Sequence, residues 1–383
     1  MRPRGATRNR VYDICQTRAK NGYFRPRSSH MIYHPASAYN TLPLLPPESD
    51  LENKAILKKT ISASRALAEL KGAVTNPNLF IDTITLQEAR ASLAIGHRVV
   101  PLGEAFKAAA SGSKIEDPAT RDVLRYRDAL YHGIAHPSLT TDLFVSIVQI
   151  IDPRQPGIRN TGTRLTDPRT ERTIYTPPRE ERLVREKLKN LEDFMRAGGR
   201  IDPLIKMAVA HYQFLAIYPF FDGNRRTGRI IPLLYLIREG LLDYPTLYLS
   251  DYILQHKEGY YLGLKRVIER RDWTGWILYV LDMVEQTALK TRRQIADVER
   301  LMTQMNDEIR QTGLYAPELM EALFKHPYTR RAHLENAGLG TLKTVGNYLK
   351  ELESAGFLKS EQVGREKLYL NHRLLKCLTT FPG

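Results

Sequence analysis

The 383-residue chain is poor in cysteine, holding only Cys15 and Cys377. Two thiols so far apart provide neither a disulfide framework nor a cysteine zinc site, and they fit a reducing, cytoplasmic setting. The chain also lacks any run of about 20 apolar residues, which excludes a transmembrane helix. Its basic N-terminus has no apolar segment, so it is not a secretory signal. No membrane partner is expected. Acidic residues are in deficit, with 42 Asp and Glu against 57 Lys and Arg, for a net charge of +15. Such an excess suits polyanionic partners without naming one. Part of it is local: residues 1–30 carry eight Lys or Arg against one Asp. With little apolar periodicity, this stretch reads as a disordered basic arm. We expect Met31 to be the natural start, with a nucleic-acid-binding arm as the alternative.

The rest of the chain is long enough for two or three domains. Residues 38–50 are Pro-rich and extended. Apolar positions then recur at helical spacing through 51–70, 79–95, 101–110, 119–134 and 138–151. Residues 157–178 are rich in Gly, Thr and Pro, with β-branched Thr173 and Ile174, and read as a loop with a short hairpin. Helical patterns resume at 180–196, 202–217, 226–240, 250–257, 259–269 and 273–298. Residues 299–313 form a charged helical connector that should separate two hydrophobic patterns. Beyond it come short helices at 316–326 and 330–337, a longer one at 341–354, and strands at 356–360 and 366–370 about a Gly364 turn. That order is a small winged helix-turn-helix, with 341–354 in the recognition position and Lys343, Thr344, Asn347 and Lys350 facing outward. DNA contact and protein packing are both open to such a domain.

One stretch carries chemistry. Residues 218–229 read Tyr-Pro-Phe-Phe-Asp-Gly-Asn-Arg-Arg-Thr-Gly-Arg. An apolar helix ends at an aromatic-proline break, and another opens on arginines 225, 226 and 229. Helix N-termini attract anions through unpaired N–H groups and the dipole. Arginine adds charge-assisted bonds to phosphate. Asp222 stands where a Mg²⁺ bridging those phosphates would be held. A capped helix start with a solvated basic face is the alternative on these residues alone.

The stretch resembles the signature of the Fic family, His-Pro-Phe-x-(Asp/Glu)-Gly-Asn-Gly-Arg-x-x-Arg, whose members transfer AMP from ATP to protein hydroxyls. The run 201–214 resembles the helix leading into the signature, and 174–178 resembles the flap that positions the target segment. Residues 247–252, with His256, Lys257, Tyr260 and Tyr261, resemble the region beside the nucleotide base. The resemblance spans roughly 38–380. It implies a mainly α fold: a Fic-type helical core with a short β-hairpin flap, followed by the winged helix. The expected parts are 1–30, an N-terminal helical region 31–118, the core 119–298, the connector 299–313 and the winged helix 314–383. It also implies ATP with Mg²⁺ as the ligand. Asp222 would take the metal, and Gly223, Asn224, Arg225, Arg226, Thr227, Gly228, Arg229, Tyr252, Tyr260 and Tyr261 the nucleotide. An unidentified protein would be the target.

The chain departs from this pattern at chemically sensitive positions. The family's histidine takes the proton from the target hydroxyl, and here that position is Tyr218. A phenol with a reference pKa near 10 is a poor acceptor at pH 7, and a positioned base contributes roughly 10²–10⁴ in rate. Arg225 replaces a glycine, where it would either block the phosphates or clamp them. In many members an inhibitory segment, Ser-x-x-x-Glu, pairs its glutamate with the last signature arginine. Residues 86–97 resemble that segment, with Ser92 kept and Gly96 in the glutamate position, so no carboxylate reaches Arg229 from there. Leu215 stands where relatives have an acidic residue. Pro232 lies inside the helix that follows the signature, where it should remove one backbone bond and disturb Arg229. We therefore expect a nucleotide-binding pseudoenzyme. An active AMP transferase and a DNA-binding regulator are the alternatives, and a homodimer is left open.

Overall fold

The structure, a computed structural model, describes residues 33–112, 115–167, 170–199, 201–313 and 317–379. The basic arm and the expected start at Met31 lie outside the described residues. In chain order the first helices are α1 (Lys54–Ala73), α2 (Pro77–Ile95), α3 (Leu102–Ala110), α4 (Pro118–Ala135) and α5 (Thr141–Ile151). Two short strands, β1 (Leu165–Thr166) and β2 (Thr173–Tyr175), pair antiparallel with Leu165 opposite Tyr175. Then come α6 (Glu181–Arg196), α7 (Pro203–Ile217), α8 (Asn224–Arg238), α9 (Leu249–Gln255), α10 (Lys257–Arg270) and α11 (Trp273–Arg310). The chain is thus mainly helical with a small hairpin, as its periodicity predicts. No helix among the described residues is long and apolar enough to cross a membrane.

Local chemistry sets these starts. Asn53 caps α1 by accepting from the N–H groups of Ala55 and Ile56. Asp117 and Asp202 cap α4 and α7, each followed by a proline at the first helical position, where the missing N–H costs nothing. Helix α7 is the axis of the core. Every residue from Leu204 to Ile217 is buried, as expected for a helix that is apolar all round. Its polar members are satisfied internally: Gln213 donates to the Pro43 carbonyl at 2.8 Å, and Lys206 donates to the Ala197 carbonyl.

Pro232 does not break α8, which runs unbroken from Asn224 to Arg238. The N–H it lacks would have bonded the carbonyl of Gly228, four residues back. His211 of α7 takes over that role, its Nδ1 lying 2.8 Å from the Gly228 oxygen. The ring is fully buried, and burial pushes its pKa down to about 4, so it is neutral. A carbonyl accepts only, so Nδ1 carries the proton, and Nε2 accepts from the Tyr260 hydroxyl at 2.9 Å.

The C-terminal elements are α12 (Pro317–Lys325), β3 (Tyr328–Thr329), α13 (Arg331–Asn336), α14 (Leu342–Ser354), β4 (Lys359–Val363), β5 (Glu366–Leu370) and α15 (His372–Thr379). The sheet order is β3-β5-β4, all antiparallel, with Lys359 opposite Leu370 and Val363 opposite Glu366. Strand β4 starts three residues later than the sequence suggests. Phe357 and Leu358 are still tied to the end of α14, their N–H groups both pointing at the Leu352 carbonyl. The expectation that a charged connector separates two hydrophobic patterns is not met. Helix α11 crosses the expected boundary at 298 without interruption and buries Met305 and Ile309 near its end. Leu319, Phe324, Leu374 and Leu378 belong to the same buried cluster as the helical core.

Candidate functional site

Helix α7 ends at Tyr218, whose backbone is left-handed with φ 51° and ψ 61°. Such a conformation is uncommon away from glycine, and strain of this kind concentrates at functional sites. The chain turns through Pro219 to Gly223 and re-enters helix at Asn224. Asn224 holds the turn from inside: its Oδ1 accepts from the Phe220 N–H and its Nδ2 donates to the Phe220 carbonyl, both at 2.8 Å. Gly223 has φ +83°, and a Cβ there would lie 2.5 Å from Val148. No other residue type fits.

Arg159 fastens the turn to the hairpin. Its side chain is fully buried, and every acceptor it finds is a main-chain carbonyl. Nε donates to Tyr218 at 2.8 Å and Nη1 to Thr161 at 2.9 Å, while Nη2 reaches Pro178 and Ile217. It thereby caps the free carbonyls at the end of α7. Tyr175 of β2 adds a 2.6 Å bond to the Ala216 carbonyl. Arg159 was not singled out from sequence.

The turn faces a cavity of about 320 Å³. Tyr218, Asp222, Gly223, Arg225, Arg226 and Arg229 line it from the signature, with Ser92 of α2, Gly96 just past the end of α2 and Tyr261 of α10. Arg98 and Arg164, also missed from sequence, bring the arginines on the wall to five. Asp222 is its single carboxylate among the described residues. The surroundings are therefore strongly cationic, suited to a polyphosphate.

Several expected positions lie elsewhere. Asn224, Thr227 and Gly228 are buried behind the turn. A Cβ on Gly228 would press on Leu215 at 2.9 Å, so its smallness serves the close approach of α7 and α8. Tyr260 is buried against His211, and Tyr252 donates to Asp282 at 2.5 Å while stacking on His256. Neither is on the cavity wall; of the three tyrosines, only Tyr261 is. On α14, Lys343, Asn347 and Lys350 are exposed and Thr344 is partly exposed.

Arg229 is held by α2 rather than free. Its Nε donates to the Ser92 hydroxyl and its Nη2 to the Ser92 carbonyl, both at 2.9 Å. Gly96 contributes no side chain, and the nearby buried carboxylate is Glu88, one turn before Ser92. Burial pushes that carboxyl up, against the bonds it accepts from Ser250 and Tyr126 and the attraction of Arg229. Arg225 lies with its guanidinium 5.8 Å from the centre of the Tyr261 ring. Burial raises the pKa of the Tyr218 phenol, and this outweighs the opposing pull of Arg225.

Asp222 is already engaged within its own turn. Its Oδ1 accepts from the Gly223 N–H at 2.6 Å, and its Oδ2 lies 3.4 Å from Arg226. No group of three His, Cys, Asp or Glu that could hold a metal occurs among the described residues. One carboxylate on the wall fits a Mg²⁺ carried mainly by ligand phosphates, not a cage of protein ligands.

Three stretches of the chain match known protein domains. Residues 57–135 match the Fic/DOC family N-terminal domain and 138–236 the Fic/DOC family domain. Residues 301–374 match the C-terminal domain of protein adenylyltransferase SoFic-like proteins. Protein adenylyltransferase fic-1 of Caenorhabditis elegans is 38% identical over 68 residues, which is 17% of this chain and 13% of that protein. Protein adenylyltransferase Fic of Drosophila willistoni is 30% identical over 102 residues, 26% of this chain and 19% of that one. The chain thus spans under a fifth of the length of these relatives. Among solved structures, a Fic family protein from Desulfovibrio desulfuricans superposes with a TM-score of 0.52 at 19% identity, over 83% of this chain and 96% of the other. Fic-1 of C. elegans (residues 134–508) gives 0.51 at 21% identity, over 62% and 72%. At such identities these two likenesses speak for the fold alone. On the domain matches, the chain belongs to the Fic/DOC family, with its N-terminal and Fic domains followed by a C-terminal domain of the SoFic-like kind.

Proposed function

We propose that the chain binds ATP or a related nucleotide, with Mg²⁺, in the cavity at Tyr218 and transfers AMP poorly or not at all. The observation that carries this reading is the phenol in the position of the family's base. Its pKa is raised by burial, so at pH 7 less than about one molecule in 10³ presents a phenolate. What remains on the wall still suits phosphate: Arg226, Arg229 and the start of α8 supply donors, and Asp222 supplies one oxygen ligand. When bound, Mg²⁺ would offset phosphate charge. The chain's own residues orient the ligand: Asn224 and Arg159 fix the turn, and Ser92 fixes Arg229. Arg225 reaches toward Tyr261 and narrows the space that a glycine would leave open. Ile174, exposed on the hairpin, offers an apolar contact for a target segment.

Labelled ATP tests the reading. Wild type should show no AMP adduct by mass spectrometry, Tyr218→His a partial gain, and Tyr218→His with Arg225→Gly a larger one. Transfer by wild type as fast as by the double variant would overturn it.

A second reading concerns the C-terminal elements, which we take as a winged helix. The free face of α14, with Lys343, Asn347 and Lys350 exposed, favours contact with DNA phosphates. Binding should weaken steeply with salt, and Lys343→Ala or Lys350→Ala should each lower the salt slope by about one. Affinity that ignores both variants would remove this reading.

A further inference from the structure

Behind the signature cavity a chain of polar side chains runs from Arg229 into the core. Its far end is Glu88 of α2, fully buried and met by three donors. Oε1 accepts from the hydroxyls of Tyr126 of α4, at 2.8 Å, and Ser250 of α9. Oε2 accepts from the Ser250 N–H at 2.8 Å. Tyr126, also fully buried, shares a second hydrogen bond with the Ser92 side chain. Ser92 lies four residues after Glu88, on the same face of α2, and its hydroxyl accepts from Arg229 Nε at 2.9 Å.

The two ends fix the direction of this chain. A guanidinium only donates, and a carboxylate only accepts. Ser92 therefore accepts from Arg229 and donates to Tyr126, and Tyr126 donates to Glu88. Each hydroxyl is polarised by the next, so a charge two side chains away strengthens the bond to Arg229. Gly96 offers Arg229 no carboxylate, and Glu88 supplies the opposing charge from inside the core. The grip takes only part of the guanidinium. Nε and Nη2 are spent on Ser92, which leaves Nη1 to the cavity that Arg229 lines.

We propose that Glu88 and Tyr126 are positioning residues for phosphate: acting through Ser92, they hold Arg229 with Nη1 presented to the ligand of the signature cavity. This role rests on the nucleotide reading of that cavity. An arginine that is already ordered loses little further freedom when a phosphate arrives, which is worth about three- to tenfold in affinity. Glu88 also satisfies a free N–H in the first turn of α9, so a purely structural cap is the competing account. A cap acts on folding alone, whereas a positioning residue acts on the ligand only through Arg229.

Two measurements on the full chain separate these accounts. In the unliganded protein, NMR should show slow solvent exchange of the Arg229 Nε proton, assigned by its absence from Arg229→Lys. Tyr126→Phe, which cuts the chain of bonds and keeps the shape, should quicken that exchange severalfold. Glu88→Gln should do the same, and it serves as the check if Tyr126→Phe fails to fold. In calorimetry with Mg-ATP, Tyr126→Phe should weaken binding about three- to tenfold. On an Arg229→Lys background, which keeps the charge and lacks the Nε–H, the same change should leave affinity unaltered. Equal losses on both backgrounds would make Tyr126 a support of the fold alone and overturn the proposal. Exchange or wild-type affinity that ignores Tyr126→Phe would overturn it too. Quickened exchange in a chain that binds no ATP would instead sink the nucleotide reading, and would show that the grip on Arg229 serves the fold.

Discussion

The turn at 218–229 has an inward side and a side that faces the cavity, and the two are built on different terms. Inward, Asn224 closes both of its hydrogen bonds on Phe220, Gly228 lets two helices approach, and Arg159 caps the end of α7. Outward stand Tyr218, Asp222, Arg225 and Arg226. The departures from the family signature, Tyr218 and Arg225, together with Gly96 at the end of the opposing helix, all lie on the cavity wall. The residues that set the turn's shape, Gly223 and Asn224, fit the pattern. Shape is therefore carried mainly by groups behind the wall, with Gly223 serving on both sides, and chemistry by groups the fold does not need. A chain can keep the first and change the second.

That contrast makes graded predictions. The largest loss of stability should follow Arg159→Met, which leaves the carbonyls of Ile217, Tyr218 and Pro178 buried and unpaired; chemical denaturation should show about 3–5 kcal/mol. Asn224→Ala should cost about 2–3 kcal/mol by the same measurement, because it strands both polar groups of Phe220. A cost below 1 kcal/mol for either would mean that the inward side does not hold the turn.

His211 sharpens the comparison through pH. Its folded pKa is about 4, below the reference value near 6.5. Between these values the unfolded chain binds a proton that the folded chain refuses. Stability is thus complete above pH 6.5 and falls as the pH drops toward 4, by up to about 1.4 kcal/mol per unit. His333, also pushed down to about 4 by burial, adds a smaller share because it is partly exposed. His211→Phe should lower stability at pH 7 by about 2 kcal/mol and flatten this slope. An unchanged slope would show that His211 is not the group that titrates.

The wall should behave in the opposite way. Tyr218→His should change stability by less than about 1 kcal/mol, with its effect seen in AMP transfer. Gly96→Glu should have the smallest effect on stability, since a Cβ there meets only the Leu93 carbonyl at 3.4 Å. It should nonetheless weaken ATP binding in calorimetry by offering Arg229 a carboxylate. Unchanged affinity would mean that Arg229, already tied to Ser92, takes no part in binding.

Much of this was legible in the sequence. Helical spacing located the helices of the core, and the signature placed Tyr218, Asp222, Arg225 and Arg226 on one wall. The failures share a cause. Arg159 sits in a Gly/Thr/Pro-rich loop and looks like a solvated cation, because its acceptors are carbonyls up to 59 residues away. Tyr252 and Tyr260 resemble ligand-facing aromatics, yet their hydroxyls are claimed by Asp282 and His211. The connector at 299–313 is rich in charge, and its apolar residues are too sparse to reveal that they pack. Long-range partners leave no local periodicity.

The bond between His211 and Gly228 has a consequence for how substitutions accumulate in this chain. Pro232 creates the vacancy that His211 fills, so neither position has a fixed tolerance of its own. With alanine at 232 the carbonyl would recover its own helical N–H, and a change at 211 would lose much of its penalty. The two sites form one unit of epistasis: the order in which they mutate decides whether the path crosses a valley of stability or runs level.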